Sequence, residues 1–329
     1  MHVDSFNTLP PGAAVPAVVP RARRHATGPH APGERRSRRF FAELTAERLE
    51  ELFQQTRSAG DLSNAAVYFE LLAEVRHREL VARPGFDATR PSIITSFQPK
   101  SGGTFLHNRM LEIGFEEFWW AFPDHRCHSY VYTTPRTLEL YMQGGAACHT
   151  HCRPEPALLA AFDRVGVEKI WVHLRNPIES AISAFYHYRG EGHGGGEAGA
   201  LRRRQALETA RAFSFLTRSS MSHFVRSVLA WLTPWIEQWL QFDQDHPGVV
   251  VFTYHQELAD LPGMMRRALG EFGIAPPASI TCMPTDNDRF RHNRQKDWRD
   301  SLSASSGRQV EELVRSSLGK FAAFERLWT

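Results

Sequence analysis

The sequence predicts a three-layer α/β/α fold around a central parallel sheet, preceded by an N-terminal helical hairpin. Three observations predict it. From residue 91 onward, short apolar runs rich in branched residues alternate with helical segments, the pattern of right-handed βαβ units covered on both faces. Before them, two segments carry apolar residues at helical spacing. Hydrophobic residues make up 42% of the 329 and charged residues 23%, an ordinary globular balance that excludes a wholly disordered or fibrous chain.

Residues 1–38 are rich in Pro, Ala, Gly and Arg, lack a hydrophobic period, and read as a disordered leader. Residues 1–39 hold seven arginines against Asp4 and Glu34, a balance of +5, which leaves −2 for the rest of a chain whose total is +3. The basic excess thus belongs to the leader. The remainder does not ask for the basic face of a nucleic-acid binder. No apolar run follows the leader's basic residues, Arg23-Arg24 included, so it does not read as a secretory signal and a cytoplasmic protein is expected. No stretch approaches the ~18 apolar residues of a membrane span. Four cysteines in a chain this long do not make a disulfide scaffold.

Residues 40–57 and 62–81 read as the hairpin helices. Phe40, Phe41, Leu44, Leu49, Leu52 and Phe53 share one stripe, Leu62, Ala65, Ala66, Phe69, Leu72, Ala73 and Leu80 another, and Gly60-Asp61 marks the turn. The hairpin is expected as an appendage over 39–90, with the main domain over 91–329. Within that domain, strands are expected at 92–97, 146–150, 169–174 and 249–254. Helices are expected at 104–113, 155–164, 177–188, 222–244 and 262–272. Trp231, Trp235 and Trp239 recur every fourth residue, as a buried helix stripe does. Residues 190–199 are too glycine-rich to pack and read as a mobile loop. Ligands of such folds sit beyond the carboxyl ends of the strands.

Immediately after the first strand comes Gln98-Pro99-Lys100-Ser101-Gly102-Gly103-Thr104-Phe105. Glycine N–H groups and the following helix N-terminus suit an oxyanion, and Lys100 adds a full charge. The order is not that of a Walker A loop, because the lysine precedes the glycines. The bland alternative is an ordinary turn. After the strand at 169–174 comes Arg175-Asn176-Pro177-Ile178-Glu179-Ser180-Ala181-Ile182-Ser183. Arg175 stands where ligands bind, and with Ser183 it has the donors to grip a second phosphate. The alternatives are an ion pair of Arg175 with Glu179 and an unremarkable helix-face serine.

Lys-Ser-Gly-x-Thr after the first strand, then Arg-Asn-Pro with a serine eight residues past the arginine, resembles the sulfotransferases that use 3′-phosphoadenosine 5′-phosphosulfate (PAPS). Val249 to Tyr254 followed by Glu257-Leu258 resembles that family's late strand, with an insertion. Arg291-His292-Asn293-Arg294-Gln295-Lys296-Asp297-Trp298 resembles its C-terminal loop. The likeness spans roughly residues 91–318. It implies that Lys100, Ser101, Gly102, Gly103 and Thr104 cradle the 5′-phosphosulfate, that Phe105 stands where an adenine-stacking tryptophan is common, and that Arg175, Ser183 and Arg291, with His292 and Asn293 beside it, hold the 3′-phosphate. Gly103 replaces a threonine, and His292-Asn293 replace Lys-Gly.

Cys148-His149-Thr150-His151-Cys152 puts both histidines on one face of an extended segment and both cysteines on the other. Zinc is one reading, with Cys127, His125 and His128 as further donors; a general base is another; a pair of structural histidines is the third. The segment resembles the family's Lys-Thr-His-x-x-Pro, which makes His151 the base, puts His149 in place of the lysine, and leaves Lys100 as the other catalytic residue. Transfer would be in line, from PAPS to an acceptor hydroxyl, giving adenosine 3′,5′-bisphosphate (PAP), with no metal. The expected partner is a small-molecule or carbohydrate acceptor, and a homodimer is possible. The aromatic residues of 114–145 suit an acceptor pocket or a core equally. The rivals are an ATP-dependent P-loop kinase and a non-catalytic nucleotide-binding or scaffold protein.

Overall fold

The computed structural model describes residues 44–117, 135–188, 220–275 and 297–328. Residues 45–329 form one compact unit. The leader, the glycine-rich loop, most of the aromatic stretch, and Arg291, His292 and Asn293 lie outside the described residues.

The hairpin consists of α1 (Ala46–Ser58) and α2 (Leu62–Val81). Gly60 supplies the positive φ of the turn, 75°, and the Asp61 carboxylate caps α2 by accepting from the Asn64 N–H at 3.2 Å. Phe53 packs on Phe69 inside the hairpin. The far end of α2 packs on the rest of the chain: Ala73 and Leu80 join the main core, and Glu74 pairs with Arg136 at 3.0 Å.

β1 (Ile94–Phe97) leads into α3 (Gly103–Glu112) and β2 (Glu116–Glu117). Then come α4 (Pro135–Tyr141), β3 (Ala146–Ala147), α5 (Pro156–Arg164), β4 (Ile170–Leu174) and α6 (Pro177–Tyr188). The long α7 (Met221–Asp245) precedes β5 (Val250–Tyr254), a 3-10 turn (His255–Asp260) and α8 (Leu261–Glu271). A second 3-10 turn (Trp298–Ser301), α9 (Ala304–Leu318) and α10 (Phe324–Trp328) end the chain; neither helix was expected from the sequence pattern, nor was α4.

The central sheet is parallel in the order β1-β4-β5, with Ile94 opposite Ile170, Phe97 opposite His173, and His173 opposite Thr253. All five β4 residues are buried, because helices cover both faces. Ile170, Val172 and Leu174 face a core built with α6, α7 and α9, whereas Trp171 faces one built with α3 and α8. This is the expected three-layer α/β/α arrangement.

The strand expected over 146–150 is regular only at Ala146–Ala147, where it pairs with β2. Beyond that, the chain follows β1 through isolated backbone bonds and side chains. The Phe97 N–H bonds the Thr150 carbonyl at 2.9 Å, and Ser96 Oγ bonds the Cys152 carbonyl at 2.7 Å. Thr95 and Thr150 hydroxyls donate to the Cys148 and Thr95 carbonyls. Leaving such buried groups unpaired costs about 1–3 kcal/mol each, so these polar residues fix where residues 148–152 lie.

Candidate active site

The loop after β1 folds as a tight cradle. Lys100 adopts a left-handed conformation, φ 65°, and Gly102 caps α3 with φ 103°. The Ser101 N–H turns back to the Gln98 carbonyl at 3.1 Å. Ser101 Oγ is buried and has no hydrogen-bond partner among the described residues. An orphaned buried hydroxyl beside a helix N-terminus fits an anionic group that brings its own acceptors. Gly103 is required by space: a β-carbon there would lie 2.7 Å from Phe97 Cβ and 2.8 Å from His149 Nε2. A larger residue there would force Phe97 or His149 to shift.

The second motif meets the first. Asn176 caps α6, its Oδ1 accepting from the Ile178 N–H at 3.0 Å, and Pro177 takes the first helical position. Buried Gln98 joins the two turns: its Oε1 accepts from the Arg175 N–H and its Nε2 donates to Ser180 Oγ, both at 2.8 Å. The Arg175 guanidinium donates to the Lys100 carbonyl at 3.2 Å and to Glu179 at 3.0 Å. The ion pair with Glu179 is therefore present, and it is part-buried within the junction of the two loops rather than out on the surface. Ser183 is half-buried two turns along α6. Phe105 is 5% exposed, packed into the α3–α8 core with the Arg109 guanidinium 5.0 Å from its ring centroid.

His151 closes the same end of the sheet. Its Nδ1 bonds the carbonyl of Phe97, the last residue of β1. A carbonyl only accepts, so Nδ1 carries the hydrogen and, in the neutral ring, Nε2 keeps its lone pair. His151's own carbonyl accepts the Trp235 indole N–H at 2.9 Å, and that of Cys152 accepts Trp239's at 3.1 Å. Of the tryptophan stripe, Trp235 and Trp239 are buried, as expected, and Trp231 is half-buried; the two buried rings also anchor the histidine segment. The His149 ring stands edge-on to His151 at 5.1 Å and stacks on His107 at 5.9 Å.

Cys148 and Cys152 lie on the opposite, core-facing side. Burial pushes both thiols up, Cys152 to about 11, so they are protonated and poor metal ligands. Among the described residues, no group of three or more His, Cys, Asp or Glu side chains is placed to hold a metal ion.

Sequence reading missed Gln98, Ser180, His173, Thr253 and His255, all engaged in polar contacts at this end of the sheet. The available signal was polar residues inside or next to strands that otherwise read as fully buried.

No protein-family model matches the chain, and no curated protein does. Among solved structures, the chain is similar to the mouse sulfotransferase SULT7A1 complexed with PAP, at 17% identity and a TM-score of 0.49, over 74% of this chain and 90% of that one. At that identity and score, the likeness transfers no residue role.

Proposed function

We propose that the chain is a PAPS-dependent sulfotransferase acting on an acceptor hydroxyl. One observation carries the reading. The Arg175 guanidinium bonds the Lys100 carbonyl, and His151 bonds the carbonyl of Phe97, three residues earlier, so both anion motifs and the base converge on one strand end. The donor would lie across the ends of β1 and β4. Lys100, Ser101, Gly102, Gly103 and Thr104 would hold its 5′-phosphosulfate. Arg175, Ser183 and Arg291, with His292 and Asn293, would hold its 3′-phosphate.

When bound, PAPS supplies a sulfuryl group on a phosphate leaving group. His151 Nε2 takes the acceptor's hydroxyl proton as oxygen attacks, while Nδ1–H stays on the Phe97 carbonyl and keeps the ring aimed. Lys100 and the N–H groups at the start of α3 stabilise the negative charge developing on the phosphate side. Phosphate binding by Arg175 would draw its guanidinium partly from Glu179, which lies in the first turn of α6.

Calorimetry with adenosine 3′,5′-bisphosphate against ATP plus Mg²⁺ tests the donor. Tighter binding of the bisphosphate is expected, and preference for ATP would replace this reading with the kinase. A labelled-sulfate transfer screen against pooled metabolites tests the reaction and identifies the acceptor.

A further inference from the structure

Two histidines with no part in the proton transfer converge on one carbonyl of the loop. His173, the fourth residue of β4, is fully buried, and its Nε2 lies 3.1 Å from the Ser101 carbonyl oxygen. His255, the first residue after β5, reaches the same oxygen through Nδ1 at 2.7 Å. The oxygen only accepts, so His173 donates Nε2–H and His255 donates Nδ1–H. The rest of the network is consistent with those tautomers. The Thr253 hydroxyl donates to His173 Nδ1 and accepts the Trp171 indole N–H, both at 2.7 Å. Burial holds both rings neutral.

A trans peptide points its carbonyl and the next N–H in opposite directions, and the described chain has no cis bond. With the Ser101 oxygen fixed on the histidine side, the Gly102 N–H must point away from the histidines. Were this peptide to flip, it would turn a carbonyl toward an incoming anion, and glycine at 102 makes the flip sterically cheap. Two donors occupy both lone pairs of the oxygen and oppose the flip. His255 lies directly against the loop: a β-carbon on Gly102 would be 3.7 Å from its Nδ1. Arg175 acts alike on the preceding peptide, holding the Lys100 carbonyl while the Ser101 N–H turns to Gln98.

We propose that His173 and His255 are positioning residues, a two-histidine clamp that holds the Ser101–Gly102 peptide with its N–H presented to the bound anion. The proposal rests on reading the loop as the phosphosulfate cradle.

The test compares wild type with His255→Leu, which keeps bulk without a donor, and His255→Asn, whose Nδ2 can replace Nδ1–H. Binding of inorganic pyrophosphate and of adenosine 3′,5′-bisphosphate is measured by calorimetry. Losing a donor that organises an anion site weakens binding about tenfold. The expected result is that loss for His255→Leu with both probes, and recovery to within about twofold of wild type for His255→Asn. Unchanged binding in His255→Leu, or equal weakening in both variants, overturns the clamp and leaves the sulfotransferase reading intact. Pyrophosphate binding that disappears in His255→Leu, in a wild type that ignores the bisphosphate, supports the clamp and overturns the nucleotide reading. A wild type that binds neither probe overturns both. Should His255→Leu fail to fold, ¹⁵N-glycine-labelled wild type decides. The Gly102 amide, identified by its loss in Gly102→Asn, is expected to move downfield as pyrophosphate is added; an unmoved resonance overturns the clamp.

Discussion

At single residues, the site depends on which atom carries a hydrogen and how much room a β-carbon has. His151 donates Nδ1–H to Phe97, so its opposite nitrogen is the one that can accept a proton. Under the sulfotransferase reading, His151→Ala lowers kcat about 10²- to 10⁴-fold, as loss of a general base does. The Kd for adenosine 3′,5′-bisphosphate is expected to stay unchanged, since the ring serves the acceptor. A matching drop in bisphosphate affinity would assign His151 to donor binding instead. Gly103 has no such chemistry but no room either. Gly103→Ala forces Phe97 or His149 to shift, and overpacking of this kind costs about 1–3 kcal/mol. Urea unfolding monitored by tryptophan fluorescence measures it; an unchanged midpoint would mean the neighbours yield freely. The sequence showed both glycines as a loop signal, but only packing distinguishes Gly103, crowded by Phe97 and His149, from Gly102, which is needed for its left-handed backbone.

Among the elements, periodicity identified α2, β4, α6 and α7 to within a residue at each end, because each has a continuous apolar face, whereas α1 begins at Ala46 and not near residue 40 as the pattern suggested. It was least informative for residues 146–152, where buried hydroxyls rather than a regular ladder hold the chain beside β1. It also left α9 and α10 unassigned, although Val310, Val314 and Leu318 line one buried face. α7 illustrates the gap between period and role. Its spacing predicts burial of Trp235, but not that the indole N–H supports the backbone of the candidate base. Trp235→Phe keeps most of the ring and strands the His151 carbonyl, a loss of about 1–3 kcal/mol. Chemical denaturation is expected to show that loss, with a fall in transfer rate larger than any change in bisphosphate affinity. A variant as stable as wild type would mean that water replaces the indole.

For the whole molecule, the polar network beneath the loop links stability to pH. Burial, with neighbouring His255, lowers His173 to about 3; burial, with Arg175, lowers His255 to about 4. An unfolded histidine titrates near 6.5. Between about pH 4 and 6.5 the unfolded chain therefore binds more protons than the folded one, and stability falls as pH drops through that window. The contribution is complete above about 6.5. His77, also lowered by burial, acts in the same direction, whereas burial raises the Asp243 carboxyl, which acts in the opposite one. The urea midpoint is expected to be lower at pH 5 than at pH 7.5. Equal midpoints would show that these rings are hydrated and protonate in place.

The chain's order of apolar runs, glycines and caps determined the layered architecture and located two loops at strand ends, because periodicity and turn chemistry are local properties. Only the tertiary structure decided that Arg175 bonds the Lys100 carbonyl, that Gln98 ties the two turns together, and that His173 and His255 share one oxygen. Those contacts join residues as far as 154 positions apart. Buried hydrogen bonds form where parallel strands bring polar atoms within reach, and no local pattern of residues encodes that distance.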